Sequence, residues 1–173
     1  TERRRLTLAM TGHATQTNLP LPVVLTPSRI DYTKTKANGT DLRLIADDHT
    51  TVLPHEIEQW TAGGTSYVWV RVPSMSGGAA TTRIWVYYGN SNASDAQNAA
   101  TLWTGHRAVC HLNGLTDASG QGHTGTNQGT VDAAGKIGRA PRSGGARIQV
   151  AHATSLSFSA TDSFTLSAWA NFE

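Results

Sequence analysis

The chain has 173 residues, with 14 Lys and Arg against 12 Asp and Glu, a net charge of +2. Only 15% of its residues are charged and 38% are hydrophobic, which excludes disorder driven by charge and leaves room for one large domain or two small ones. Its 17 glycines, set among frequent Thr, Ser and Asn, suit short strands joined by turns rather than helices.

Taken from the N-terminus, the first feature is the basic run Arg3-Arg4-Arg5. It is the only dense one, and it reads as the solvated lead-in to a strand. Nucleic acid is not an expected partner, because that would need a whole face of such residues. Arg5 to Met10 alternates polar and apolar, as a half-buried strand does. Leu21 to Leu25 is a short apolar run whose proline marks a strand start or a sheet edge. Pro27 to Asn38 is polar, and Asn38-Gly39 is a turn signal. Asp41 to Ile45 and Val52 to Trp60 are the next strands, separated by a turn at Asp47-Asp48-His49.

The strongest strand signals are Ser66 to Val72 and Thr82 to Tyr88, rich in Val, Trp, Tyr and Ile. The turn-rich stretch Pro73 to Gly78 between them predicts an antiparallel hairpin. Side chains alternate across a strand. Val68, Val70 and Val72 therefore share one face, as do Ile84, Val86 and Tyr88. The opposite faces carry Tyr67, Trp69 and Arg71, and Arg83, Trp85 and Tyr87.

From Gly89 to Ala100 the composition shifts to Asn, Ser, Ala and Asp. This divides the chain into a first domain, residues 1–103, and a second, residues 104–173. The second opens on Ala108 to Leu112 and passes through a Gly/Ser/Thr-rich loop. Arg147 to Val150 and Ser163 to Phe172 are its clearest strand-like runs. The single cysteine, Cys110, has no partner for an internal disulfide. Its apolar setting predicts a buried, inert thiol. No stretch approaches the ~20 apolar residues of a membrane span, so an anchor is expected only outside these residues.

The motifs of the first domain are Arg4-Arg5-Leu6-Thr7-Leu8, Asn38 to Leu44, Leu53 to Trp60, Val68 to Pro73 and Ile84 to Asn90. In this order they resemble a bacterial domain family catalogued as DUF2341, over about residues 2–103. The motifs of the second domain are Asp117 to Gly125, Gly135-Lys136-Ile137-Gly138, Ser155 to Phe158 and Ser163 to Trp169. They resemble the opening half of a concanavalin A-like, laminin G-type jelly roll. The expected fold is thus all-β: an antiparallel β-sandwich followed by a truncated jelly-roll β-sandwich, its remaining part supplied by further C-terminal sequence. The resemblance implies an exported bacterial protein, periplasmic or extracellular. In some proteins the same domain pair stands before a proton-channel unit of the MotA/TolQ/ExbB type.

Three candidate sites follow. Tyr67, Trp69, Trp85 and Tyr87, with Arg71 and Arg83 at the rim, could form an aromatic platform for sugar rings; the alternative is that this face packs against a second sheet or a neighbouring domain. Glu56 and Glu58 lie two apart on a strand, about 6.5–7 Å between α-carbons. Paired carboxylates can hydrolyse glycosides, but the pair must flank the sugar from opposite sides. An exposed face with an ion pair to Arg43 is the simpler reading. Asp117 could offer oxygen to calcium, or cap local backbone N–H groups in a Gly-shaped turn.

No Cys/His cluster, HExxH, G-x-S-x-G or phosphate-binding glycine loop occurs. The role that the resemblance implies, and that the Trp/Tyr face suits, is a non-catalytic binding region for a glycan or another envelope component, and in some such proteins a periplasmic head above a proton channel. The alternatives are a structural or homo-oligomerising module and a glycoside hydrolase domain.

Overall fold

A computed structural model describes residues 1–78 and 80–171. The protein is nearly all β, with 38% of its residues in strands and 6% in helices. It forms two compact units, Thr1–Thr104 and Gly105–Glu173.

The first unit is a sandwich of two three-stranded antiparallel sheets. Sheet I has the order β1-β6-β3, with β1 at Glu2–Ala9, β6 at Thr81–Tyr88 and β3 at Arg43–Ala46. Sheet II has the order β2-β5-β4, with β2 at Gln16–Leu25, β5 at Ser66–Met75 and β4 at His55–Gln59. Pro20 and Pro22 lie in β2, an edge strand, where a missing N–H can face away from the ladder.

The hairpin expected of Ser66–Val72 and Thr82–Tyr88 does not form: these runs are β5 and β6, the central strands of different sheets. The reason lies in their apolar faces. Val68, Val70 and Val72 on β5 and Ile84, Val86 and Tyr88 on β6 are all buried and join one core cluster. Two sheets packed face to face hide both sets from water. A hairpin would place them side by side on one face and leave that face to be covered by something else. Each fully buried side chain of this size is worth about 1.5–3 kcal/mol.

The loops close the ends of the sandwich. Ile30 is buried, and the Tyr32 hydroxyl reaches the Leu25 carbonyl and the Ser66 hydroxyl, at 3.0 and 2.9 Å. Asp41, also buried, accepts the Lys36 N–H at 2.9 Å and the Gly89 N–H at 2.7 Å. It thereby ties the loop before β3 to the end of β6. Gly39, in the predicted turn, has φ +71° and lies under the ring of Trp60.

His55 is fully buried opposite Val70 on the inner side of sheet II. Its Nδ1 lies 3.3 Å from the Leu53 carbonyl oxygen, and its Nε2 has no hydrogen-bond partner among the described residues. Burial pushes its pKa down, so the folded state holds it neutral. Below about pH 6.5 an unfolded histidine takes up a proton that the folded one refuses, so stability falls with pH. The loss is at most about 1.4 kcal/mol for each pH unit below that point, and it ends at the folded-state value. In urea titrations between pH 7.5 and pH 5, the wild type should therefore lose more stability than His55→Leu. Parallel losses in the two proteins would show that His55 does not carry the effect.

The second unit contains two two-stranded antiparallel ladders. β7 (Gly125–Gln128) pairs with β10 (Arg147–Val150), and β8 (Val131–Ala134) pairs with β9 (Arg139–Arg142). A single bridge joins Cys110 to Asp117. Cys110 is exposed rather than buried. Partial desolvation and the nearby Asp117 carboxylate still push its thiol pKa up, which favours the protonated, unreactive form.

The strand expected at Ser163–Phe172 is likewise not found. Residues 163–171 pair with no strand, and Phe172 lies outside the described residues. The side chains of Phe164, Leu166 and Trp169 are 64%, 88% and 86% exposed. Alternating residues favour an extended backbone, but a strand also needs a partner for its N–H and C=O groups. None of the described residues supplies one. Among the described residues of this unit no apolar side chain is buried; its buried side chains are Asp117, Ser119 and His123.

Candidate functional site

The two sheets of the first unit turn their polar and aromatic faces away from each other. Tyr67, Trp69 and Arg71 therefore lie on the outside of sheet II, while Arg83, Trp85 and Tyr87 lie on the outside of sheet I. The single platform expected from these six residues is thus split between opposite sides of the sandwich. Only a β5–β6 hairpin would bring them onto one face.

The outer face of sheet II is a packing surface. The boundary stretch, Gly89 to Ala100, and the residues after it as far as Thr104 fold back on it. The Gln97 side chain accepts the Ile57 N–H at 2.6 Å, and the Asn98 N–H donates to the His55 carbonyl at 2.9 Å. Both contacts cover polar groups that edge strand β4 would otherwise present to other chains. Asn98 then caps a short helix, α1 (Ala99–Leu102), by accepting the Thr101 N–H.

Trp103 follows, buried, with its ring 5.2 Å from that of Trp69. Its indole N–H donates to Glu56 at 2.7 Å, and that of Trp69 donates to Glu58 at 2.5 Å. Arg71 donates to the carbonyls of Leu102 and Thr104, at 3.0 and 2.9 Å. A cation at carbonyls left open by a helix C-terminus is favourable.

Glu56 and Glu58 thus share one strand and one face, each holding an indole in place. They do not flank an opening from opposite sides, as glycoside hydrolysis requires. The expected ion pair to Arg43 is also not made. Arg43 donates instead to the carbonyls of Thr40, Leu42 and Ser94.

The outer face of sheet I is different. Strand β1 places Arg3 opposite Tyr87, Arg5 opposite Trp85 and Thr7 opposite Arg83. On the other side, β3 places Arg43 opposite Tyr87 and Ile45 opposite Trp85. Arg3, Arg5, Thr7, Arg83 and His49 are exposed, and Trp85 and Tyr87 are partly so.

Trp85 is the centre of the arrangement. The Arg3 guanidinium lies over its ring, 5.2 Å from the centroid, a cation–π contact worth about 0.5–1 kcal/mol at an exposed site. From the opposite flanking strand the turn after β3 brings the His49 ring to 4.5 Å. His49 Nδ1 is 2.9 Å from the Tyr87 hydroxyl. The Trp85 N–H donates to Asp47 at 3.1 Å, and Arg83 lies 3.9 Å from the same carboxylate.

The Arg3–Arg5 run is exposed, as expected of a solvated run, but it is part of β1 rather than a lead-in to it, and its alternation continues that of Leu6 and Leu8. Extending the period of two backwards would have placed Arg3 and Arg5 on one face. His49 lies in the expected turn after β3; its role beside Trp85 is set by the fold. It has φ +60°, a left-handed conformation that a side chain adopts at a cost and that glycine adopts freely. In exchange, its ring braces Trp85 and Tyr87.

In the second unit Asp117 acts as a hub for its own loop. One carboxylate oxygen accepts the N–H groups of Val109 and Ser119, both at 2.9 Å, and the Ser119 hydroxyl at 2.7 Å. The other accepts the His123 N–H at 3.0 Å. Burial opposes the charge, but these bonds together outweigh it and hold the carboxyl below the usual range. This is the capping geometry of a Gly-shaped turn. His123 is fixed in addition by a 2.9 Å contact from Nε2 to the Ser155 hydroxyl. Among the described residues no three His, Cys, Asp or Glu side chains gather as a metal site would require. No helix among them is long and apolar enough to cross a membrane.

Residues 38–119 match the model of a family described as "Domain of unknown function (DUF2341)". The match takes in His49, Arg83, Trp85 and Tyr87, leaves out β1 and β2, and runs beyond Thr104 as far as Ser119. No curated protein and no solved structure matches the chain.

Proposed function

We propose that the first unit is a non-catalytic binding module whose ligand face is the outside of sheet I, and that it recognises a polysaccharide on a cell or envelope surface. The observation that carries this reading is the contrast between the two outer faces. One is filled by Trp103 and its helix. The other keeps Trp85, Tyr87, His49 and exposed arginines in a braced array. Such bracing lowers the entropy lost when a ligand is held, which is where much binding affinity is won. The exported setting implied by the family resemblance suits a ligand of this kind, and the second unit would serve as an accessory domain.

The test is a glycan array, with retention on insoluble polysaccharides, using the intact chain, Trp85→Ala and His49→Gly. Trp85→Ala removes the post that holds both Arg3 and His49, and should weaken retention about tenfold or more, equivalent to about 1.4 kcal/mol. His49→Gly relieves the left-handed backbone and should keep the melting temperature while weakening binding. Equal retention of all three proteins, or silence across the array, would refute the assignment of this face.

A further inference from the structure

We infer that the ligand of this face is an acidic polysaccharide, a chain of sugars carrying carboxylate groups. The inference rests on the binding reading above and names its chemical class. It follows from charge and from how the Trp85 ring is used.

Arg43 on this face is taken up by the carbonyls of Thr40, Leu42 and Ser94, whereas the guanidinium groups of Arg3, Arg5 and Arg83 project from the outer face of sheet I and between them have only the Asp47 carboxylate as an ion-pair partner among the described residues. Arg3 and Arg5 make no ion pair among the described residues, and Arg83 has only the 3.9 Å approach to Asp47. Exposed cations that no close ion pair neutralises among the described residues, on a protein whose net charge is only +2, form a local field that attracts anions. Arg is also the side chain whose planar donor fork matches a carboxylate in two-point fashion.

The geometry suits a polymer rather than a small ion. Same-face residues on a strand are about 6.5–7 Å apart, and neighbouring strands about 4.8 Å apart. Arg3, Arg5 and Arg83 are thus spread over two strands of one sheet rather than sharing one position. A chain laid across this face can meet successive cations with successive acid groups.

Single-stranded nucleic acid is the competing polyanion. Proteins that hold it present aromatic faces on which bases stack. Here Arg3 lies over the Trp85 ring and His49 approaches it from the other flanking strand, so the ring serves to orient a cation rather than to receive a base. Duplex readout needs an element that enters a groove, and this face is the surface of a sheet.

The experiment measures binding of the intact chain to three probes by titration calorimetry at low and moderate salt: polygalacturonate, its fully methyl-esterified form and an oligo-dT single strand. Polygalacturonate should bind, weaken with salt, and exceed the methyl ester at least tenfold, because esterification keeps the sugars and removes the charge. Arg3→Gln combined with Arg5→Gln should cost at least tenfold on polygalacturonate and flatten the salt dependence, with an unchanged circular-dichroism melt showing that the fold persists.

Equal binding of the methyl ester would overturn the acidic class while leaving the carbohydrate reading in place. Oligo-dT binding as tightly as polygalacturonate would overturn both. An unaltered affinity in the double variant, or no binding to polygalacturonate at all, would overturn the inference.

Discussion

Replacing Gly39 by alanine should lower the stability of the first unit by about 2–5 kcal/mol, the sum of a conformational penalty of about 1–2 and a steric one of about 1–3 kcal/mol. The first is conformational. At φ +71° an L side chain carries a cost of about 1–2 kcal/mol that glycine avoids. The second is steric. An added Cβ would lie 2.6 Å from the Trp60 ring, far inside van der Waals contact. The indole cannot simply yield, because Tyr32 packs against it edge-on at 5.2 Å, and Tyr32 is itself held by Leu25 and Ser66.

Gly12→Ala separates the two terms. Gly12 has nearly the same φ, +79°, with nothing within 4 Å of an added Cβ, so its substitution should cost only the conformational part. Urea denaturation followed by tryptophan fluorescence measures both variants. If they lose stability equally, the close packing of Trp60 over the turn contributes nothing.

Residues 105–173 expressed alone should show fast amide hydrogen exchange or aggregate, rather than hold a protected monomeric fold. The second unit has no buried apolar side chain among its described residues, whereas a domain of this size depends on such burial to offset the entropy of ordering its chain. What orders it locally is a polar turn around Asp117 and two ladders of four residues a strand. Two-stranded ladders are marginal by themselves in water.

The exposed Phe164, Leu166 and Trp169 add an apolar surface beside unpaired backbone, a combination that invites association. Exchange monitored by mass spectrometry decides the matter, together with light scattering on the same sample. Strong protection in a monodisperse monomer would show that the polar hub and short ladders suffice, and would refute the argument.

How far these features were legible in the sequence depends on their range. Alternation is a local property. It was enough to find β1, β3, β5, β6 and β10, and to say that Val68, Val70 and Val72 share a buried face. Asn38-Gly39 marked its turn because the φ it needs is written in the residue types. The proline in Leu21–Leu25 marked an edge strand because a missing N–H is tolerated there.

Pairing is not local. The same alternation is compatible with β5 and β6 as neighbours in one sheet or as centres of two facing sheets, and only the burial of both valine- and isoleucine-rich faces against each other selects the second. That one choice moved Trp69 and Trp85 to opposite sides of the protein and dissolved the expected platform. It also decided which aromatic face was filled. The composition shift over Gly89 to Ala100 marked a domain boundary, yet Gln97, Asn98 and, just beyond it, Trp103 meet partners on β4 and β5 more than thirty residues away. Likewise Arg3 and His49 are 46 positions apart and come together only because β1 and β3 flank β6. The final strand-like run shows the converse: Ser163 to Asn171 has the alternation of a strand, but hydrogen bonds to a neighbour make a strand, and the described chain brings none to it.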